Sequence, residues 1–316
     1  MGTYVGCYNS AFPSFVSGLG TVPFALFNAG RVTRTGKNQP TLKPNLKTAE
    51  HTAVRAARAA GALMRRHFRS PKKITSATQH DIKLELDVRC QKLIEKTLRR
   101  AYPHIAVLGE EGVLGDTQAD HRWVVDPIDG TVNFTYGIPH ACVSIALQVA
   151  RPRFDNPGSS LKVSARSDPA YETVVGVVFD PFCNELWTAI RGGPAWLNGK
   201  MIHVSRRSRL DKAIISIGFA KYKSTLDRMI PVLNRLVYRV RKIRIMGSAA
   251  LAMTYVASGR MEAYIESGIR LWDIAAGGLI LECAGGDFWH EPVPGAHKYR
   301  VMANNGLLRR KLRTLI

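Results

Sequence analysis

Trp123-Val124-Val125-Asp126-Pro127-Ile128-Asp129-Gly130-Thr131-Val132-Asn133-Phe134 is the stretch on which the reading of this chain turns. Three apolar residues run into Asp-Pro-Ile-Asp-Gly-Thr, the pattern of a buried strand that delivers two carboxylates at its exit. Pro127 fixes φ and has no N–H to give to a ladder, so regular pairing is expected to stop there. Gly130 permits a sharp bend, and Thr131 is suited to capping a following helix. Asp126 and Asp129 flank one turn, so their oxygens and the Ile128 carbonyl can converge on one point. Such hard oxygen donors on a tight loop suit Mg²⁺. A Pro-Asp-Gly surface turn would use the same residues, but the hydrophobic strand in front of the acids favours a site.

Upstream, Ile105–Leu108 is a short strand that runs into Gly109-Glu110-Glu111-Gly112, again acids beside glycines. If the two strands are sheet neighbours, Glu110 lies beside Asp126 and Asp129, and three packed carboxylates repel unless a cation neutralises them. Downstream, Glu266-Ser267-Gly268-Ile269-Arg270-Leu271-Trp272-Asp273 precedes a helix expected over Ile274–Cys283. Asp273 sits at its start, where the positive helix end favours anions. By itself this is only a cap.

The remaining elements follow from periodicity. Thr48 is expected to cap a helix with the stripe Ala53, Ala57, Ala60, Met64 and Phe68. A polar basic loop covers Lys72–Gln79. Asp81 through Asp87 then opens a second helix, whose face carries Cys90, Ile94, Thr97 and Ala101. On spacing alone Asp87 is an N-terminal helix acid. Cys142–Val149 and Thr173–Phe179 read as paired strands joined by a surface excursion over Arg151–Glu172. Glu185–Ile190 and Ile202–Val204 read as strands on either side of an Asn198-Gly199 hairpin turn. Strands at Ala213–Gly218, Ile243–Met246 and Met261–Ile265 alternate with helices at Tyr222–Val240 and Ala249–Ala257.

Composition bounds the function. With 316 residues, 46% of them hydrophobic, the chain can bury a large core, as one big domain or two intimate ones. Its 45 Lys+Arg against 24 Asp+Glu give a net charge of +21. Such a field attracts phosphorylated substrates, nucleic acid and anionic membranes alike. The basic residues are scattered along the sequence without a recognised nucleic-acid motif, so dedicated nucleic-acid recognition is not expected. Five cysteines without a CxxC pair suggest reduced thiols in a cytoplasmic protein and no zinc site. Residues 1–30 are uncharged but broken by glycine and proline, which fits neither a signal peptide nor a membrane span. Residues 1–46 are expected to be a flexible extension, and no membrane partner is expected.

Taken together, Gly109-Glu110-Glu111, Asp126-Pro127-Ile128-Asp129-Gly130-Thr131-Val132-Asn133-Phe134 and Trp272-Asp273-Ile274-Ala275-Ala276-Gly277 resemble the motifs of the inositol monophosphatase family. The family belongs to the Mg²⁺-dependent, lithium-sensitive phosphomonoesterases, and the Gly192–Lys200 hairpin is also similar. The resemblance covers the chain from about Thr48 onward. It implies a layered α/β/α/β/α sandwich of the inositol monophosphatase and fructose-1,6-bisphosphatase type. An α+β part over 47–183 would supply most metal ligands, and an α/β part over 184–316 would supply Asp273 and the substrate pocket.

The resemblance further implies that Glu110, Asp126, the Ile128 carbonyl, Asp129 and Asp273 hold two or three Mg²⁺ ions. Thr131 and Asp87 would orient the attacking water. Gly130 and Thr131 N–H groups would hold phosphate, Gly247, Ser248 and Ala249 would line the pocket, and Glu266 would read substrate hydroxyls. Leu84 departs from the family pattern, where a small hydroxyl residue is common. The implied reaction is hydrolysis of a small phosphate monoester by metal-activated water, in line and without a covalent intermediate, in a homodimer. Inositol monophosphate is the first expectation, with histidinol phosphate, sugar (bis)phosphates and nucleotide 3′-phosphates as alternatives. A polyanion- or RNA-binding regulatory protein on a phosphatase scaffold is the alternative of a different class.

Overall fold

Two helices pack against the first sheet because their apolar residues recur at helical spacing. In a computed structural model, which describes residues 44–77, 82–151, 171–219 and 223–315, helix α1 spans Leu46–His67. Its cap is Asn45 rather than Thr48: the Asn45 side-chain oxygen accepts from the Thr48 N–H. Ala53, Ala57, Ala60 and Met64 are fully buried, as the stripe requires. The expected loop and helix start after α1 are corrected. Strands β1 (Ile74–Ala77) and β2 (Ile82–Leu84) form an antiparallel pair, and α2 (Glu85–Ala101) begins only at Glu85. The Asp87 carboxylate fixes that start by accepting from the Leu84 N–H at 2.7 Å. The buried stripe then runs Leu86, Cys90, Ile94, Leu98, four apart, which leaves Thr97 half-buried and Ala101 exposed.

The first sheet comprises β3 (Ala106–Gly109), β4 (Gly112–Leu114), β5 (His121–Asp129), β6 (Cys142–Ala150), β7 (Tyr171–Asp180), β8 (Glu185–Ile190), β9 (Ala195–Leu197) and β10 (Lys200–Ile202). Its order is β10-β9-β8-β7-β6-β5-β3-β4, antiparallel except for the parallel pair β3–β5. Pairing does not end at Pro127. It skips, from Asp126 opposite Ser144 to Asp129 opposite Cys142, so three steps on β5 face two on β6. Pro127 sits in this bulge, where a missing N–H costs no ladder bond. Asn198 and Gly199 both take positive φ (48° and 77°), the turn that matches the twist of the β9–β10 hairpin. The short helix α3 (Thr131–Thr135) follows β5 with Gly130 as its cap and Thr131 as its first residue, so Thr131 is not the cap.

The second sheet is built from β11 (Ile214–Ile217), β12 (Lys242–Arg244), β13 (Ala263–Arg270), β14 (Asp287–Pro292) and β15 (Lys298–Asn304), in the order β12-β11-β13-β15-β14. Strand β11 is parallel to β12 and β13; β15 is antiparallel to both of its neighbours. The intervening helices are α4 (Lys223–Val237), α5 (Ala249–Ala257), α6 (Leu271–Cys283) and the terminal α7 (Arg309–Arg313).

Burial sets the layers. α1 and α2 share a core with one face of the first sheet, through Ala57, Ile94, Trp123 and Val177. α5 and α6 are apolar almost all round and fill the space between the sheets, touching Val178 and Trp187 on one side and Tyr264 and Val301 on the other. Met229 and Leu236 of α4 and Leu312 of α7 cover the outer face of the second sheet over Ile215 and Met302. The result is the expected α/β/α/β/α sandwich. Close approach of the middle layer depends on small residues: a Cβ on Gly176 of β7 would stand 2.8 Å from the Ala276 carbonyl of α6. The expected extension over 1–46 and the excursion over 151–172 fall largely outside the described residues.

Candidate active site

The parallel pairing of β3 and β5 brings the two acid-tipped strand ends together. Gly109 stands opposite Val125, and the Glu110 N–H donates to the Val125 carbonyl, so Glu110 emerges beside Asp126. Asp126 is almost fully buried and turns back on its own loop, accepting from the Ile128 N–H at 3.0 Å. Asp273 arrives from the first turn of α6, where it accepts from the Arg270 N–H. One donor oxygen each from Asp126, Asp129 and Asp273 lie within 4.8 Å of one another.

Three carboxylates this close and this buried resist ionisation. Burial pushes Asp126 well above the usual carboxylate range, and Glu110, Asp129 and Asp273 add to the effect. Asp273 is raised the same way, by burial and then by Asp129 and Glu110. The Asp126–Asp273 pair therefore retains a proton above the usual carboxylate range. A divalent cation could take that proton's place, and an all-oxygen donor set fits a hard ion such as Mg²⁺. Asp129 is raised less, to about 6. Burial lifts it, while the Ser248 hydroxyl (2.6 Å) and the N–H groups of Ala250 (2.7 Å) and Ala249 (3.3 Å) pull it back. Ser248 and Ala249 therefore grip Asp129 at the N-terminus of α5, joining the two sheets at the site.

Gly130 takes φ 98°, and a Cβ there would meet the His140 carbonyl at 2.9 Å. The Thr131 hydroxyl donates to the Ile128 carbonyl at 2.9 Å, rather than to Asp87. Asp87 Oδ2 accepts from Leu84, while Oδ1 is buried without a hydrogen-bond partner among the described residues. Burial, then Glu110 and Glu111, push Asp87 up to about 8.

The second sheet supplies the far wall. Glu266 on β13 is buried and accepts a short hydrogen bond from the Tyr264 hydroxyl. A Cβ on Gly218, beyond the end of β11, would lie 1.6 Å from a Glu266 carboxylate oxygen. Gly218 is therefore a site residue that the sequence reading missed: it makes room for Glu266. Asn133 is a second. Its amide donates to the carbonyls of His140 and Met246 (both 2.9 Å), tying α3 to the segment before α5. The expected residues thus line one cavity of about 510 Å³ that includes Glu110, Asp126, Asp129, Gly130, Thr131, Gly247, Ser248, Ala249, Glu266 and Asp273. Asp87 is not among its lining residues.

Comparison with known proteins agrees with this geometry. The model of the inositol monophosphatase family matches residues 45–152 and 170–310. A protein of Xylella fastidiosa named "Nus factor SuhB" is 39% identical over 245 residues, 76% of this chain and 81% of that protein. An "Inositol monophosphatase" of Mesembryanthemum crystallinum is 36% identical over 242 residues, 74% of this chain and 82% of its own length. The solved inositol monophosphatase of Anabaena (Nostoc) sp. PCC 7120 superposes with a TM-score of 0.71 at 31% identity, covering 86% of this chain and 96% of that one. With its carboxylate cluster, its layered fold and its sequence matching over most of their length, the chain belongs to the inositol monophosphatase family.

Proposed function

We propose that this protein is a Mg²⁺-dependent phosphatase that hydrolyses a small phosphate monoester with water as nucleophile. The observation that carries the reading is the set of Asp126, Asp129 and Asp273, their oxygens within 4.8 Å at one cavity, where burial and mutual repulsion oppose joint ionisation and a cation would relieve both. Glu110, Asp126, the Ile128 carbonyl, Asp129 and Asp273 would hold two or three Mg²⁺ ions. When bound, the ions would neutralise phosphoryl oxygens, acidify a water and stabilise the leaving oxygen.

The chain's own groups do the rest. Gly130 and Thr131 N–H groups at the start of α3 hold phosphate oxygens. Asp87 and Thr131 would orient the attacking water, which requires the Thr131 hydroxyl to leave the Ile128 carbonyl and the buried Asp87 oxygen to become reachable from the cavity. Tyr264 and Gly218 fix Glu266 so that its remaining acceptor capacity faces the substrate hydroxyls, beside Gly247 and Ser248. The attack is in line and forms no covalent intermediate. Inositol monophosphate is the first substrate to test, and histidinol phosphate, a sugar (bis)phosphate or a nucleotide 3′-phosphate the alternatives. The protein works as a cytoplasmic, lithium-sensitive homodimer with an α+β part over 47–183 and an α/β part over 184–316. In the described residues no helix is long and apolar enough to cross a membrane.

The test is phosphate release from a panel of these monoesters with and without Mg²⁺, and with added Li⁺. Mg²⁺-dependent, Li⁺-inhibited turnover that is lost in Asp126→Asn supports the reading; no turnover together with no metal binding ends it. A second reading is a polyanion-binding regulatory protein on the same scaffold. It is favoured by the net charge of +21 and by the name "Nus factor" carried by a relative that matches as well as the named phosphatase does. Polyanion binding that persists undiminished in a catalytically dead Asp126→Asn protein would speak for it.

A further inference from the structure

From Arg228 through Met261 the chain contains no acidic residue. Four of its seven cations fall in one short run, 239–244. Tyr238, Arg239 and Arg241 lie in the turn between α4 and β12, and Lys242 and Arg244 lie on β12 itself, an edge strand of the second sheet. All five side chains are exposed, Tyr238 to 91%. No ion pair with an acid forms at Arg239, Arg241, Lys242 or Arg244 among the described residues. These four cations fall within six consecutive residues, and the turn and the edge strand hold all of them in solvent as one basic track.

The track has a direction. In the parallel register Lys242 stands beside Ile214 and Arg244 beside Ser216, so these side chains share one face of the sheet. Ile214 on that face packs toward the core between the sheets, and Ser216 lines the cavity of the candidate site. Arg244 is thus one strand spacing, about 5 Å, from the cavity wall. The residues that follow it, Ile245, Met246 and Gly247, line the cavity directly. Two charges on an edge strand would be enough to prevent edge-to-edge pairing. That role does not call for the adjoining arginines of the turn, nor for an aromatic ring held out in solvent.

We infer that this edge binds single-stranded nucleic acid, with its backbone along Arg239, Arg241, Lys242 and Arg244 and a base stacked on Tyr238, so that the strand passes the mouth of the cavity. A line of cations beside an exposed aromatic ring is the combination that holds a strand irrespective of its sequence: the cations neutralise successive phosphates and the ring offers a stacking face. The inference goes beyond the phosphatase reading and does not depend on catalysis.

The test is fluorescence anisotropy of a labelled oligouridylate 20-mer, lacking terminal phosphates, titrated with the full chain between 50 and 300 mM KCl. Four phosphate contacts give a slope of log K against log salt of roughly −3. Charge reversal in Arg239→Glu/Arg241→Glu/Lys242→Glu is expected to weaken binding at least tenfold and to flatten the slope by about 2. A matched Lys92→Glu/Lys96→Glu/Arg99→Glu protein, altered on the exposed face of α2, is expected to stay within about threefold, because those charges contribute only the general field. Tyr238→Ala, at a side chain outside the core, is expected to weaken binding about fivefold or more and tests the surface even if the triple variant does not fold. Equal losses in the two triple variants would overturn the inference, as would absence of oligonucleotide binding at 50 mM salt. So would track-dependent binding to phosphatidylserine vesicles without binding to the oligonucleotide. Phosphate release from a small monoester, followed separately, reports on the phosphatase reading alone.

Discussion

Replacing Asp87 by asparagine should make the metal-free protein more stable and the enzyme worse. Asp87 is buried and raised from 3.8 to about 8, by desolvation first and then by Glu110 and Glu111. A carboxyl raised in the folded state contributes stability that is complete below its unfolded value and is lost as pH rises through its folded value. Here that window runs from about 4 to about 8, at about 1.4 kcal/mol per pH unit. At pH 7 the penalty therefore approaches about 4 kcal/mol, and local relaxation should reduce it to about 2–4. Asparagine keeps an oxygen to accept from the Leu84 N–H, so the start of α2 survives. Urea unfolding of both proteins in chelator, from pH 4 to 8, should show the variant gaining steadily on the wild type from near equality at pH 4. Phosphate release should fall by about a hundredfold or more, the scale of a lost water-orienting group. A stability difference that does not change with pH, or a destabilised variant, would refute the burial argument for Asp87.

Other consequences are simpler. Gly218→Ala puts a methyl group on the Glu266 carboxylate, so KM should rise about tenfold or more with a smaller change in kcat and an unaltered circular dichroism spectrum. Ser248→Ala removes both the cap of α5 and the strongest donor to Asp129, and unfolding in denaturant should show a loss of about 2–3 kcal/mol. Asn133→Ala frees α3 from Met246 and His140; a loss of about 1–2 kcal/mol is expected by the same assay.

The site was legible where its grammar is local. At Asp126 and Glu110 an apolar strand ends in acids, and the guess that the two strands are neighbours needed only that pattern; the β3–β5 register bears it out. Ile82 and Leu84 alternate with charged residues as a strand does, but three residues are too few to show a period before the helix begins at Glu85, so β2 is not distinguishable in the sequence from the opening of α2. The bulge after Asp126 was hidden because a proline normally ends pairing, and only the β6 partner shows that the ladder resumes. Gly218 and Asn133 could not be found by spacing. Their roles depend on Glu266, 48 residues away, and on Met246, 113 residues away. The basic edge is a contiguous run, Arg239-Val240-Arg241-Lys242-Ile243-Arg244, and only the fold shows that it lies on an edge strand whose neighbour lines the cavity.

Calorimetric titration with Mg²⁺ shows whether the buried carboxylates hold divalent cations. Asp126 and Asp273 hold protons well above the usual carboxylate range, so metal binding must expel them. Titrations at pH 7 in two buffers of different ionisation enthalpy should show Mg²⁺ binding to the wild type with net proton release, and the loss of both in Asp273→Asn. Binding without proton release, or binding unchanged in Asp273→Asn, would contradict the assignment of this cluster as the metal centre.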